Sequence, residues 1–144
     1  MSVVLNKLLK ILINKILIPT DFSPASYRAT MMGMDLCRQH SADLFLLHVS
    51  PKESNNGYNS AAEMKSKMTS WSKDMVEKEE FVLNNVVLTG DIEKEIKSFI
   101  DNNSFDLIIV GINSNGRDNL IGRHALKLIE ETDTQILIAP NQKA

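Results

Sequence analysis

Five short apolar segments, separated by polar or glycine-containing turns, constrain the fold of this chain more than any other feature. They span residues 16–18, 44–49, 81–89, 106–110 and 134–139. Such runs have the length of strands rather than of helices. The second and fourth segments are apolar nearly throughout, as is typical of parallel strands that are covered on both faces. The segments therefore predict five strands in a parallel sheet.

Between consecutive segments, apolar residues recur at helical spacing, which predicts four helices. Ser23 can cap the first helix, Pro24 suits its first position, and Asp91 can cap the third. Strands that alternate with helices predict an α/β fold with helices on both faces of the sheet. The apolar positions of the four helices are Ala25, Ala29, Met32 and Leu36; Met64, Met68, Trp71 and Met75; Ile92, Ile96, Phe99 and Ile100; and Ala125, Leu128 and Ile129.

The length of 144 residues predicts one domain, at residues 14–144, after an N-terminal extension at residues 1–13. The extension is either a docked amphipathic helix or a contact for a partner. A hydrophobic content of 43% argues against disorder. The formal net charge of −2 argues against a nucleic-acid-binding protein, which would be basic.

The cysteine content and the hydropathy pattern indicate a cytoplasmic protein without a membrane partner. Cys37 is the single cysteine, so it forms no internal disulfide, and its apolar neighbours predict a buried, inert thiol. No stretch reaches the ~18 apolar residues that span a bilayer. The first residues lack the basic start and the cleavage site of a signal peptide, and Lys7, Lys10 and Lys15 interrupt their apolar run.

A glycine-containing loop follows the fourth predicted strand. In open parallel sheets, ligands bind beyond the carboxyl ends of the strands, at the point where the strand order reverses. Gly111, Gly116 and Gly122 lie between that strand and the last predicted helix. A strand, a glycine loop and a helix N-terminus are a common arrangement for holding phosphate. The loop is therefore a candidate anion site.

Several segments resemble the universal stress protein family in their order and spacing. They are KILIPTDFSPAS, ADLFLLHVS, VVLTGD, DLIIVG, the glycine loop and TQILIAP. The resemblance implies a doubly wound five-stranded parallel sheet of order 3-2-1-4-5, which is a flavodoxin/Rossmann-like three-layer sandwich. It also implies a homodimer formed through the last strand. Some members bind ATP at the switch point and others do not.

The resemblance implies a cofactor-binding set, and it shows where this chain departs from the binding members. Those members carry a loop of the form Gly-x2-Gly-x9-Gly-Ser/Thr. Here the loop is shorter, and Arg123 replaces the hydroxyl residue that would donate to a phosphate oxygen. A helix N-terminus, Arg117 and Arg123 still favour anions. The implied set is Asp21, Val49, Gly111, Gly116, Gly122 and Arg123.

We expect from this degraded loop a non-catalytic regulatory or binding protein of the stress response, with no certain cofactor, that acts through a protein partner or a small ligand. The alternative is an ATP- or AMP-binding module with weak ATP hydrolysis. Asp21 has a second interpretation as a turn former and helix cap. His48 is expected to be a hydrogen-bonded structural histidine. No spacing of His, Ser, Cys or carboxylates indicates a catalytic or metal site.

Overall fold

The computed structural model describes residues 13–51, 61–73, 81–112 and 131–139, together with Lys127. Five strands and three helices lie within these ranges. The strands are β1 (Lys15–Pro19), β2 (Asp43–Ser50), β3 (Leu83–Thr89), β4 (Leu107–Gly111) and β5 (Gln135–Ala139). The helices are α1 (Pro24–His40), α2 (Ala61–Lys73) and α3 (Ile92–Asn103). None of these helices is long and apolar enough to span a bilayer.

All five strands form one parallel sheet in the order β3-β2-β1-β4-β5, which confirms the predicted fold. The first strand, β1, is the central one. β2 and β3 follow on one side of it, and β4 and β5 on the other. The order therefore reverses between β1 and β4. Ligands of such sheets bind at the carboxyl ends of the strands at this switch point.

Helices cover both faces of the sheet, and successive residues of each strand point to opposite faces. Ile16 and Ile18 of β1 join the core beneath α1 and α2, whereas Leu17 joins the core beneath α3. We call these two sides the α1 face and the α3 face. Met68 of α2 is fully buried in the core of the α1 face, and Met64 is only 9% exposed, whereas Met75 lies outside the described residues.

Helix starts agree with the sequence pattern, whereas each strand starts one or two residues away from its predicted position. The side chains of Ser23 and Asp91 accept backbone N–H groups at the starts of α1 and α3, as predicted. β3 begins at Leu83 rather than at residue 81. β4 begins at Leu107 rather than at Asp106. The Asp106 carboxylate accepts the backbone N–H groups of Asn14 and Lys15, at 2.8 Å and 3.0 Å.

Most of the predicted fourth helix and most of the glycine loop lie outside the described residues. Lys127 and Glu131 are both in helical conformation. The ammonium of Lys127 is 3.1 Å from a carboxylate oxygen of Glu93 in the first turn of α3. This ion pair places Lys127 beside the start of α3. Gly116, Arg117, Gly122 and Arg123 are not among the described residues.

Candidate functional site

Three of the predicted site residues lie at the carboxyl ends of adjacent strands. Asp21 lies two residues after the end of β1, Val49 is the last residue but one of β2, and Gly111 is the last residue of β4. Pro19 pairs with Leu47, and the N–H of Thr20 also donates to the carbonyl of Leu47, so Asp21 follows directly after the last contact between β1 and β2. Since β1 lies between β2 and β4, these three residues lie at the same edge of the sheet, beside the switch point, where we expect the ligand crevice.

The side chain of Asp21 folds back onto its own turn. Its Oδ1 accepts the backbone N–H of Ser23 at 3.0 Å and the hydroxyl of Ser26 at 2.7 Å. The backbone N–H of Asp21 donates in return to Oγ of Ser26 at 3.2 Å. This is the Asx turn that aspartate commonly forms before a helix. It confirms the interpretation of Asp21 as a turn former, and the contact of Asp21 with a ligand stays a prediction.

The same turn delivers the N-terminus of α1 to the crevice. Ser23 is extended, with φ −76° and ψ 164°, and its Oγ accepts the N–H of Ser26 at 3.2 Å. Pro24 occupies the first turn, where its missing N–H costs nothing. The N-terminal end of a helix carries a partial positive charge. The first turn of α1 therefore favours an anion at this end of the sheet.

Gly111 has a packing role that the sequence did not reveal. It is buried, and a Cβ atom placed on it would overlap the backbone carbonyl of Ala25. The same Cβ would be 3.1 Å from the backbone nitrogen of Ser26. Only a residue without a side chain allows the first turn of α1 to approach the end of β4 this closely. This contact brings the start of α1 against the end of β4, beside the switch point.

Val49 and Ser50 are the last two residues of β2, at the same edge of the sheet as the Asp21 turn. Val49 is only 5% exposed and packs in the core of the α3 face. The carbonyl of Ser50 accepts the N–H of Gly90 at 2.8 Å, which ties the end of β2 to the turn after β3. The Oγ of Ser50 is buried and has no hydrogen-bond partner among the described residues. No motif or periodic pattern in the sequence points to this hydroxyl.

His48 and Phe22 support the Asp21 turn from the α1 face. Nδ1 of His48 is 2.9 Å from the carbonyl oxygen of Thr20. The Phe22 ring centroid lies 4.7 Å from the His48 ring and 5.7 Å from the Trp71 ring. The ammonium of Lys67 lies 4.7 Å from the Phe22 centroid, over the ring face. These contacts connect α2 to the turn that follows β1.

Burial chiefly lowers the pKa of His48, and the positive charge of Lys67 lowers it further. The hydrogen bond to the Thr20 carbonyl and the charge of Asp21 act in the opposite direction. His48 is therefore neutral near pH 7. Because a carbonyl can only accept, Nδ1 carries the proton and donates it to Thr20. The hydrogen-bonded structural histidine expected from the sequence is confirmed.

Sequence reasoning missed two members of this arrangement, Phe22 and Ser26. Ser26 could have been found, because it lies three residues after the predicted N-cap Ser23, the spacing of a capping box. Phe22 gave no such signal, since an aromatic residue inside a polar turn fits no periodic pattern. Its value of φ, 64°, is unusual for a residue other than glycine.

The described residues offer little for metal binding or thiol chemistry. Within the described ranges, no group of three or more His, Cys, Asp or Glu side chains could hold a metal ion. Burial, followed by the nearby negative charge of Asp43, raises the pKa of Cys37 to about 12. A thiol with this pKa carries almost no thiolate at neutral pH. The prediction of a buried, inert Cys37 is confirmed.

Comparison with known proteins adds a family match and several similar folds. The Universal stress protein family matches the chain over residues 13–140. No protein of curated function matches the sequence. The structure of universal stress protein UspA from Lactobacillus plantarum has a TM-score of 0.70 and 19% identity, with 88% of this chain and 97% of that chain covered.

Two further structures with the same fold were determined as nucleotide complexes. A universal stress protein from Archaeoglobus fulgidus in complex with dAMP has a TM-score of 0.65 and 17% identity, covering 88% of this chain and 98% of that chain. A universal stress protein in complex with cAMP has a TM-score of 0.61 and 15% identity, covering 87% of this chain and 95% of that chain. At these identities the likeness concerns the fold.

Proposed function

Because the chain belongs to the universal stress protein family, we propose that it is a non-catalytic regulatory protein of the stress response whose crevice binds an adenine mononucleotide. The observation that carries this proposal is the position of Asp21, Val49 and Gly111 at the carboxyl ends of three adjacent strands, beside the switch point. The start of α1 supplies a positive helix end at the same place. Together they form a setting in which a base and one phosphate can be held.

The comparisons support a mononucleotide as the ligand class. Two proteins of the same fold were determined with dAMP and with cAMP. Each of these ligands carries an adenine base and a single phosphate group. One phosphate needs fewer donors than a triphosphate does, so it depends less on a long glycine loop.

The sequence of the loop argues against tight ATP binding. Gly122 follows Gly111 at a shorter spacing than in the ATP-binding members of the family, and Arg123 stands where they have a small hydroxyl residue. Loss of one hydrogen bond to a charged phosphate costs about 1.5–3 kcal/mol. We therefore propose that the degraded loop binds ATP only weakly. Gly116, Arg117 and Arg123 still favour a smaller anion.

Isothermal titration calorimetry with AMP, cAMP and ATP, each added to the nucleotide-free protein, tests this proposal. We expect saturable binding of AMP or cAMP, weaker binding of ATP, and no release of inorganic phosphate from ATP. Tight ATP binding with measurable hydrolysis would instead favour the alternative, an ATP-binding module with weak ATPase activity. Absence of binding by all three nucleotides at millimolar concentration would overturn the proposed ligand class.

We also propose that the protein is a cytoplasmic homodimer that contacts a further protein partner. β5 is an edge strand, and its Leu137 and Ile138 are 38% and 41% exposed. Exposed apolar edge strands are usually paired or covered. A second copy of β5 would cover this edge. The cytoplasmic location rests on the single free cysteine, which suits a reducing compartment.

A further inference from the structure

His48 is adjacent to Val49 in sequence, but the two side chains serve opposite faces of β2. Val49 packs on the α3 face, whereas the ring of His48 contacts Phe22, which packs against the core of the α1 face. His48 is thus directed behind the Asp21 turn and not toward the core that contains Val49. This position allows it to act on the crevice through the turn.

We infer that His48 and Phe22 are positioning residues that hold the Asp21 turn in its ligand-ready conformation, and that α2 acts on the crevice through them. The inference rests on the proposed function, because it concerns the affinity of that same crevice for a mononucleotide. Neither residue was among the site residues that the sequence indicated. Both act from outside the crevice, through the backbone of residues 20–22.

The Thr20–Asp21 peptide unit is held at both of its polar atoms. The regular pairing between β1 and β2 continues to the N–H of Thr20, which donates to the carbonyl of Leu47 at 2.8 Å. The next carbonyl, that of Thr20, is bound by the imidazole of His48 at 2.9 Å. The N–H of the same peptide unit, from Asp21, donates to Ser26. The imidazole therefore fixes the orientation of the Thr20–Asp21 peptide plane, which in turn sets the direction of the Asp21 side chain.

Phe22 is the strained residue of the turn. At φ 64° its backbone is in the left-handed region, which is unfavourable for a residue with a side chain. Its N–H donates to Oγ1 of Thr20 at 3.1 Å. Its ring packs on His48 and Trp71 and lies under the ammonium of Lys67. Since Lys67 and Trp71 belong to α2, packing of α2 holds the strained turn in place.

The two variants H48N and H48L separate the hydrogen bond from the packing. The amide nitrogen of Asn is as many bonds from Cα as Nδ1 of His, so H48N can donate to the Thr20 carbonyl, whereas H48L cannot. We expect H48L to weaken AMP binding in calorimetry by about three- to tenfold, the loss that follows from one hydrogen bond. H48N should retain most of the affinity. Equal affinity of H48L and the unmodified protein would overturn the inference.

Amide hydrogen exchange without nucleotide provides a readout that does not depend on the proposed function. We expect H48L to speed exchange of the Asp21 N–H selectively, and H48N to leave it slow. I100V is the matched control, because Ile100 is buried on the α3 face and its loss of a methyl group lowers only global stability. If the unmodified protein binds no AMP, the proposed function fails, and exchange alone decides the positioning role. Unchanged Asp21 exchange in H48L then overturns it.

Discussion

His48, beside the Asp21 turn, makes the stability of the folded protein depend on pH. Folded His48 has a pKa below its ordinary value of 6.5, mainly because it is buried. Well above pH 6.5 the ring is neutral in both the folded and the unfolded chain, so in that range it contributes no pH dependence. As the pH falls below 6.5, the unfolded chain takes up the proton first, and the folded protein loses stability. This loss continues until the pH reaches the folded pKa.

H48N removes this titration while it keeps the donor to Thr20. We therefore expect the free energy of unfolding of H48N to fall less between pH 7.5 and 5.5 than that of the unmodified protein. The difference in slope is at most about 1.4 kcal/mol per pH unit, the value for one proton. Urea unfolding at both pH values measures it. Parallel pH profiles would contradict a lowered pKa of His48.

The backbone of Phe22 gives a second prediction at the residue scale. F22A loses the ring contacts and keeps a side chain at φ 64°, whereas F22G loses the same contacts and relieves the strain. Both variants should be less stable than the unmodified protein. F22G should be the more stable of the two, by up to about 1 kcal/mol, since left-handed backbone costs about 1–2 kcal/mol outside glycine and added chain entropy offsets part of the gain. A less stable F22G would show that the residue is unstrained.

At the scale of elements, the contact between α1 and β4 sets the shape of the switch point. Gly111 permits it, since a methyl group there would overlap the fixed carbonyl of Ala25. Gly33, in the middle of α1, differs because an added methyl group would meet the flexible end of the Ile18 side chain. The two glycines therefore predict different responses to the same substitution.

G111A should be destabilised by about 1–3 kcal/mol or fail to fold, because backbone must move to accommodate the methyl group. G33A should be affected less, because alanine favours the helix by about 0.8–1.0 kcal/mol over glycine and Ile18 can rotate away. Thermal unfolding followed by circular dichroism compares the two variants. A stable G111A with an unstable G33A would contradict the close approach of α1 to β4.

Local chemistry made the elements predictable, but not the contacts between them. Ser23 and Asp91 identified the helix starts because a cap depends only on residues nearby in sequence. The close approach of Ala25 to Gly111 joins residues far apart in the chain, so Gly111 was interpreted as part of a ligand loop alone. The support of Phe22 by α2 escaped prediction for the same reason. The edge of the sheet at which the candidate site lies was predictable, whereas the packing contacts around it were not.

At the scale of the whole molecule, the strand order and the two edge strands determine what surface is free to associate. The order was predicted from the family resemblance and is confirmed. β5 lies at one edge and β3 at the other. The side chains of Leu137 and Ile138 are exposed at the first edge, and Val82, just before β3, is 56% exposed near the second. Because both edges carry exposed apolar residues, the same substitution can be compared at the two edges to test the proposed dimer.

I138K should shift the protein from dimer to monomer in sedimentation equilibrium, since lysine on an edge strand opposes pairing with a second copy. V82K is the control, because it adds the same charge to an exposed apolar residue just before β3, at the other edge of the sheet. It should leave the mass unchanged. A monomeric unmodified protein, or dissociation caused by V82K instead of I138K, would contradict a dimer formed through β5.

The central claim is that the crevice between β1 and β4 holds an adenine mononucleotide, and titration of the ¹⁵N-labelled protein with AMP, followed by NMR, tests it most directly. The account predicts saturable shifts of the amide signals of Asp21, Val49 and Gly111. Signals from the opposite ends of the strands, such as those of Lys15 and Leu107, should remain in place. Shifts confined to those opposite ends, or no shifts at millimolar AMP, would contradict the account.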